Sequence, residues 1–392
     1  MKKFVSVLGS TGSIGINTLN IIRRKKNFFK PFIFSANKNY RLICKQIIEF
    51  KPIYFVIDDK QTFKKISKKF KKSKTKIISD YDNIKFKPNS NVTIAAIPGL
   101  AGLKPILSLI NISNKMLLAN KEAIICGWNL IKKKAKKFKT KLVPVDSEHF
   151  SIYQIIKDLN KDSIEKIFLT ASGGPFLNFN ENQLKKIKPN QAFKHPKWKM
   201  GKKISVDSAT MMNKIFEVIE AQKIFDLPAH KLDILVHPNS LVHAIVKFKN
   251  GITKFIYHDT TMLIPLANAL FDNNLNIRDF LPNNKNSNQI NIKNLFFEKP
   301  NKKIFPIIKV LNRVNEYPST PIIVNAANEI LVDQFIKKNV SFLTISKTIM
   351  RILNDINYKK YAINQPLNIK QIESIDHWAR CITIRILNLK NE

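Results

Sequence analysis

The chain runs to 392 residues, more than one hydrophobic core accommodates and enough for two or three domains around a catalytic cleft. Hydrophobic residues at 44% and charged residues at 24% exclude a disordered or fibrous chain, and Cys44, Cys126 and Cys381, far apart in sequence, exclude a disulfide framework or a thiolate zinc centre. The formal charge of +39 invites a nucleic-acid reading, but 8 arginines stand against 59 lysines in Asn- and Ile-rich surroundings, which fits drift of solvated surfaces and leaves no nucleic-acid partner expected.

KKFVSVLG (2–9) predicts a strand and SIGINTLNIIRRK after it a helix, because a short apolar run gives way to helical spacing. The apolar run is broken by Ser6, Gly9 and Ser10, too soon for a secretory h-region, and no stretch approaches the roughly 20 apolar residues of a membrane span. A cytoplasmic protein without a membrane partner is expected. Between strand and helix lies GSTGSIG, with glycines at 9, 12 and 15 and the hydroxyls of Thr11 and Ser13. Glycine belongs there if the backbone turns tightly against a pyrophosphate seated on the helix N-terminus; a structural turn is the plainer alternative.

Further apolar runs at 31–35, 53–57, 92–97, 115–119 and 142–145 alternate with helical stretches, which predicts a parallel, doubly wound sheet. A site for NAD would place an acidic residue after the second strand. This chain has no acidic residue before Glu49, and SANKN offers Lys38 at that place, favouring NADPH. AAIPGLAGL (95–103) and LLANKEA (117–123) bring Gly99, Gly102, Asn120, Lys121 and Glu122 to the carboxyl edge of the sheet, where such folds bind ligands.

LVPVDSEHF (142–150) ends the last strand on Asp146, Ser147 and Glu148. In an extended segment the two carboxylates share a face, and like charges that close suit a hard divalent ion, Mg2+ or Mn2+. The same residues also suit a helix N-cap followed by an acidic first turn.

From about 151 the pattern changes to an α+β domain reaching 271, with alternation over DILVHPNSLVHAIVKFKNGITKFIYH typical of antiparallel strands. VDSATMMNKIFEVIEAQ (206–222) predicts a helix capped by Ser208 that carries Asn213, Lys214 and Glu217 on one face, with Glu217 a candidate third metal ligand. Those groups, TASGGPF (170–176) and His195 describe a phosphate pocket. KHPKWKMG (194–201) places Trp198 and Met200 in a polar loop, either a lid or a packed connection. Residues 272–302 are Asn-, Lys- and Pro-rich and predict a linker; 303–392 is helical in period.

GSTGSIG, LLANKE, VPVDSEH, ASGGPF, HPKWKMGKKISVDSATMMNK, HPNSLVHAIV and NAANE, in that order, resemble the 1-deoxy-D-xylulose 5-phosphate reductoisomerase family over nearly the whole chain. The resemblance implies a homodimer with an N-terminal Rossmann-type NADPH domain (1–150), a central α+β catalytic domain with a mobile lid and dimer-forming strands, and a C-terminal helical domain. It implies rearrangement and NADPH-dependent reduction of 1-deoxy-D-xylulose 5-phosphate to 2-C-methyl-D-erythritol 4-phosphate, an early step of non-mevalonate isoprenoid synthesis. Carried over by motif, Asp146, Glu148 and Glu217 hold Mg2+ or Mn2+, with Ser147 and Lys121 beside the substrate. Ser172, Ser208, Asn213 and Lys214 grip its phosphate with His195 nearby, and Trp198 and Met200 belong to the lid. The cofactor falls to Thr11, Gly12, Ser13, Ile14, Asn37, Lys38, Asn39, Asn120, Lys121, Glu122 and Gly201.

Two stretches depart from the family pattern. Ile215-Phe216 stands where Gly-Leu is usual, and Thr260-Thr261-Met262-Leu263-Ile264-Pro265 stands where the family commonly has Pro-Asp-Met-Arg-Thr-Pro near the nicotinamide. Two rival classes remain on the sequence alone: a nucleic-acid-binding protein on a Rossmann scaffold, and another NADP-dependent dehydrogenase, which needs no set of three metal carboxylates.

Overall fold

The computed structural model describes residues 2–82, 84, 90–198, 200–281 and 295–388. Most of the expected linker, 282–294, and Lys199 of the expected lid lie outside the described residues. Among the described residues no helix is long and apolar enough to cross a membrane.

The chain forms two compact units, the first made of 1–123, 129–150 and 261–290 and the second of 124–128, 151–260 and 291–392. Compactness thus groups 261–290 with the first sheet and 303–392 with the central sheet, a partition different from boundaries at 150, 271 and 302.

The first unit is built on seven strands: β1 (Lys3–Leu8), β2 (Phe29–Ala36), β3 (Tyr54–Ile57), β4 (Lys76–Ile78), β5 (Ser90–Ala95), β6 (Ser113–Leu118) and β7 (Lys141–Pro144). They pair in the order β4-β3-β2-β1-β5-β6-β7, every pair parallel, as the βα alternation predicts. Parallel strands are covered on both faces and so need continuous apolar runs. Val5, Val7, Phe32, Phe34 and Phe55 accordingly have no exposed surface, each worth about 1.5–3 kcal/mol of burial. The polar exceptions are satisfied: Ser6 and Ser90 share a hydrogen bond at 3.0 Å, and Thr93 and Ser113 another at 2.7 Å.

Helices α1 (Ser13–Arg24), α2 (Tyr40–Phe50), α3 (Lys60–Lys69), α4 (Leu103–Ile110), α5 (Lys121–Phe138) and α6 (Ser147–Ile156) follow β1, β2, β3, β5, β6 and β7 in turn. The strand order turns back at β1 and β5, so the loops after these two strands diverge and open the crevice where sheets of this kind bind ligands.

The second unit contains β8 (Ile164–Ala171), β9 (Leu232–Val236), β10 (Val242–Phe248) and β11 (Thr253–Tyr257), in the order β11-β10-β8-β9. The β8-β10 and β10-β11 pairs are antiparallel, as the alternation predicts, whereas β8 and β9 run parallel. The short helices α7 (Glu181–Leu184) and α8 (Pro189–Ala192) precede α9 (Lys202–Thr210) and α10 (Met212–Phe225), and α11 (Leu263–Phe271) belongs to the first unit. The remainder is helical: α12 (Thr320–Ile336), α13 (Phe342–Ile352), α14 (Tyr358–Ala362) and α15 (Ile369–Ile386). Helix α12 is buried nearly all round, from Thr320 to Asn328, and is the centre of this bundle. Arg380 of α15 ties to it through an ion pair with Glu329, while Asp376, one turn earlier on α15, holds the same guanidinium.

Candidate functional site

In the first unit the glycine turn has the geometry its sequence requires. Gly9 sits at φ +76°, where a side chain would meet the Ala96 carbonyl at 2.6 Å, and a Cβ on Gly15 would lie 2.3 Å from the Gly9 carbonyl. Ser10, behind the turn, exchanges two hydrogen bonds with the buried Gln46, and the Gly9 N–H donates to Ser35 Oγ at 3.1 Å. Helix α1 then starts from Gly12 with no side-chain cap, so its first N–H groups face outward beside Thr11, Ser13 and Ile14. After β2, Asn37, Lys38 and Asn39 are exposed, and Asn39 caps α2 by accepting the Leu42 N–H at 3.2 Å.

Asn120 is held by the fold itself. Its carbonyl oxygen caps α5 through the Ala123 N–H at 2.7 Å, and its amide donates to the carbonyls of Ile97 and Gly99. This clamps the loop after β5 against the start of α5, with the Gly99 N–H donating to Glu122 at 3.4 Å. Lys121, one residue on, directs Nζ to Asp146 Oδ2 at 3.5 Å.

The carboxylates after β7 are not in an extended segment. Helix α6 begins at Ser147, the Phe150 N–H donates to the Asp146 carbonyl at 2.8 Å, and Glu148 falls in the first helical turn. The chain bends there because Asp146 also takes the Glu148 N–H on its carboxylate at 3.3 Å, an N-cap arrangement. The same carboxylate meets Nδ1 of His149, fully buried, at 3.2 Å, and the buried Ser147 donates to Glu148 at 2.5 Å. Of the two sequence readings of this stretch, the N-cap with an acidic first turn is the one found, and the cap orients Asp146 so that its Oδ2 lies 3.5 Å from the Lys121 ammonium. His149 was not singled out by sequence reasoning; its signal is its place three residues after Asp146, one helical turn away.

In the second unit the residues expected around a phosphate come from three elements. The turn after β8 presents Ser172, whose Oγ accepts the Gly174 N–H at 3.1 Å and meets His195 Nε2 at 3.0 Å. Gly174 packs so closely on α9 that a Cβ there would lie 3.1 Å from the Ser208 carbonyl. Ser208 is not a helix cap. It lies inside α9, and the break to α10 is made by Met211 at φ +70°. The helical pattern extends upstream to Lys202, so a left-handed residue, rather than a serine cap, separates the two helices.

On α10, Lys214 and Glu217 form a buried ion pair, and Asn213 donates its amide to the same carboxylate. His195 is pushed down to about 4, first by burial and then by the positive charge of Lys214, so it is neutral near pH 7. Its Nδ1 accepts the backbone N–H groups of Lys197 and Trp198 at 3.1 and 2.9 Å, which leaves the proton on Nε2, facing Ser172. Trp198 and Met200 are half-buried, and Gly201 precedes α9. The Ile215-Phe216 departure is absorbed by the core, both side chains being at most 1% exposed.

An open parallel sheet with a glycine turn at its switch point places the chain among the dinucleotide-dependent α/β enzymes. Comparison with known proteins narrows this. A 1-deoxy-D-xylulose 5-phosphate reductoisomerase model matches residues 5–127, the model of that enzyme's C-terminal domain matches 142–225, and a further DXP reductoisomerase C-terminal domain model matches 259–382. The reductoisomerase of Pelagibacter ubique (strain HTCC1062) is 42% identical over 383 residues, covering 96% of this chain and 97% of its own. The solved enzyme from Zymomonas mobilis in complex with NADPH superposes with a TM-score of 0.88 at 30% identity, covering 99% of both chains. A DOX-P reductoisomerase in complex with NADPH, fosmidomycin and magnesium gives 0.88 at 29% identity, covering 98% of both. The chain belongs to the 1-deoxy-D-xylulose 5-phosphate reductoisomerase family.

Proposed function

We infer that this protein converts 1-deoxy-D-xylulose 5-phosphate to 2-C-methyl-D-erythritol 4-phosphate with NADPH and a divalent cation, in non-mevalonate isoprenoid synthesis. The observation that carries the reading is the end-to-end relationship to reductoisomerases, which spans both units and every motif named above.

The residues fit the two absent groups. The uncapped start of α1 behind a turn only glycine can make suits a dinucleotide pyrophosphate, and Lys38 after β2 suits a 2′-phosphate. Asp146, Glu148 and Glu217 would hold the cation, an all-carboxylate set of the hard-oxygen type that Mg2+ or Mn2+ takes. When bound, NADPH supplies the hydride and the cation polarises the substrate oxygens.

The chain's own part is binding and orientation. Lys214, Asn213, Ser172 and Ser208 supply donors of the kind a phosphate accepts, and His195 keeps a proton on Nε2 beside them. A phosphate gripped there, remote from the reacting carbons, provides binding energy for closing the segment 194–201. Lys121 and Ser147 stand beside the carboxylates, where they meet substrate oxygens. Ser172 and His195 link this pocket to the Trp198 backbone, so the grip and the lid share one hydrogen-bond chain.

The reading includes a cytoplasmic setting and a homodimer formed through β11. Cys44, Cys126 and Cys381 form no disulfide, which suits a reducing compartment. Strand β11 is the edge of its sheet, with Ile252 52% and Phe255 47% exposed, an edge that invites a second copy. The test is loss of reduced-nicotinamide absorbance with the sugar phosphate and Mg2+, before and after chelator. Chelator-sensitive oxidation is expected; oxidation indifferent to chelator, or none with NADPH bound, would overturn it.

A further inference from the structure

Strand β10 carries a feature that its sheet does not need. Its pairing with β11 shifts between Val242 and Ala244, leaving His243 as the extra residue of a β-bulge, a device that re-aims a side chain. The re-aimed imidazole is 2% exposed and lies flat on His258, with ring centroids 3.8 Å apart and planes 15° from parallel. Its Nε2 donates to the His258 carbonyl at 3.2 Å, and His258 Nδ1 donates to the Asp259 carbonyl at 2.8 Å. Since a carbonyl only accepts, these two bonds fix the tautomers and the planes of both rings.

They also leave His258 Nε2 as an acceptor buried without a donor. A buried acceptor left unpaired costs free energy, so stability of the strand end is a poor reason for histidine at this position. Burial holds His258 below the usual histidine range, which keeps the ring uncharged and stackable. The other neighbour of the stack supplies the missing reason. Trp198 presents its ring to His243 edge-to-face, 6.1 Å between centroids at 75°. The backbone of the same tryptophan is held by His195.

We propose that the stacked pair His243 and His258 is the seat of Trp198, and that both histidines are positioning residues for the closed lid over the phosphorylated substrate. The proposal rests on the reading of Trp198 as a lid residue. In it the lid is fixed at two points: its backbone at His195, which also touches the phosphate-pocket serine, and its indole at a platform whose angle is set by the bulge. Without His258, His243 loses the surface that holds its plane, and Trp198 loses a fixed face to dock on. Aromatic contacts of this kind are worth about two- to tenfold in an equilibrium.

The experiment replaces His258 with Ala, Leu and Phe in the full chain and reads Trp198 emission as the difference between each protein and its Trp198→Phe counterpart, which cancels Trp128 and Trp378. His258→Ala is expected to shift Trp198 emission to the red and to raise KM for the sugar phosphate about two- to tenfold, with less effect on kcat and on NADPH binding. His258→Phe, which restores a flat ring but not the Nδ1 bond, is expected to recover both readouts. Emission unchanged in His258→Ala, or changed equally in Ala and Phe, would overturn the seat. His258→Leu fills the volume without a ring and decides the same question if the Ala variant does not fold. The emission readout needs no turnover, so a protein inactive on this sugar phosphate would overturn the proposed function while still testing the seat.

Discussion

Lys214 and Glu217 form an ion pair one turn apart on α10, with 5% and 1% of their surfaces exposed. A carboxylate this deep is stabilised by the Lys214 ammonium and the Asn213 amide, and a bound divalent cation would add to that. Glu217→Gln keeps the volume and removes the charge a metal ion needs. Turnover is expected to fall roughly a hundredfold or more, several kcal/mol of lost Lewis-acid assistance, while NADPH affinity stays near wild type. Steady-state rates beside a nucleotide titration check this, and wild-type turnover would remove Glu217 from the metal site.

The neutral state of His195 has a pH signature. Its value of about 4 in the folded chain lies below the ordinary 6.5, so between those limits the unfolded chain binds the extra proton. Stability from this group is fully present above about 6.5 and is lost as pH falls towards 4. His195→Asn removes the titration, so its denaturation midpoint should decline less than wild type across that window. Parallel slopes in the two proteins would mean that His195 does not carry the effect.

Much of this site could be read before any coordinates, and the part that could not has a common cause. Glycines at 9, 12 and 15 and the alternation of strand and helix are local signals, and the all-parallel sheet follows from them. Strand β4 is not legible in the sequence because three residues after a lysine-rich helix leave no period to detect. Ser208 looked like a cap because serine before an apolar run is the usual helix start; the stop at Met211 is made by backbone conformation, which no side chain announces. The strand before Asp146 and Glu148 predicts an extended face for both, whereas the cap bond to Glu148 turns the chain into helix at once. His149 and the bulge at His243 were invisible for a related reason: each matters through where a neighbouring strand or turn aims it.

Lys38 is exposed at the end of β2, where its charge is one of the smaller influences that lower the neighbouring Asp59; the Thr62 backbone bond is the largest. A charge-assisted bond from it to a 2′-phosphate is worth about 1.5–3 kcal/mol. Lys38→Asp is therefore expected to narrow the preference for NADPH over NADH by roughly ten- to a hundredfold. The ratio of kcat/KM for the two nucleotides measures it, and an unchanged ratio would take Lys38 out of cofactor selection.

A methyl group on Gly15 would sit 2.3 Å from the Gly9 carbonyl and 2.6 Å from Ser10 Cα, both backbone atoms of the turn. The turn must open to admit it, at about 1–3 kcal/mol. Gly15→Ala is expected to lose thermal stability and weaken NADPH binding, while ligand binding confined to the second unit is spared. Inorganic phosphate, titrated against Trp198 emission, tests the second half; a variant that weakens phosphate as much as NADPH would show general unfolding instead of a local defect.

The exposed edge of β11 supplies the last test. Edge strands in monomeric proteins are commonly blunted by charge, yet β11 carries one charged residue, Lys254, and Phe255 and, in the preceding turn, Ile252 stand in solvent. Pairing with a second copy would satisfy the outer backbone groups and bury both side chains. A lysine at Phe255 would bring like charges together across a two-fold edge. Phe255→Lys is expected to shift sedimentation from dimer towards monomer at micromolar concentration while the fold, followed by circular dichroism, persists. A wild-type chain that sediments as a monomer, or a variant that remains fully dimeric, would place the interface elsewhere or remove it.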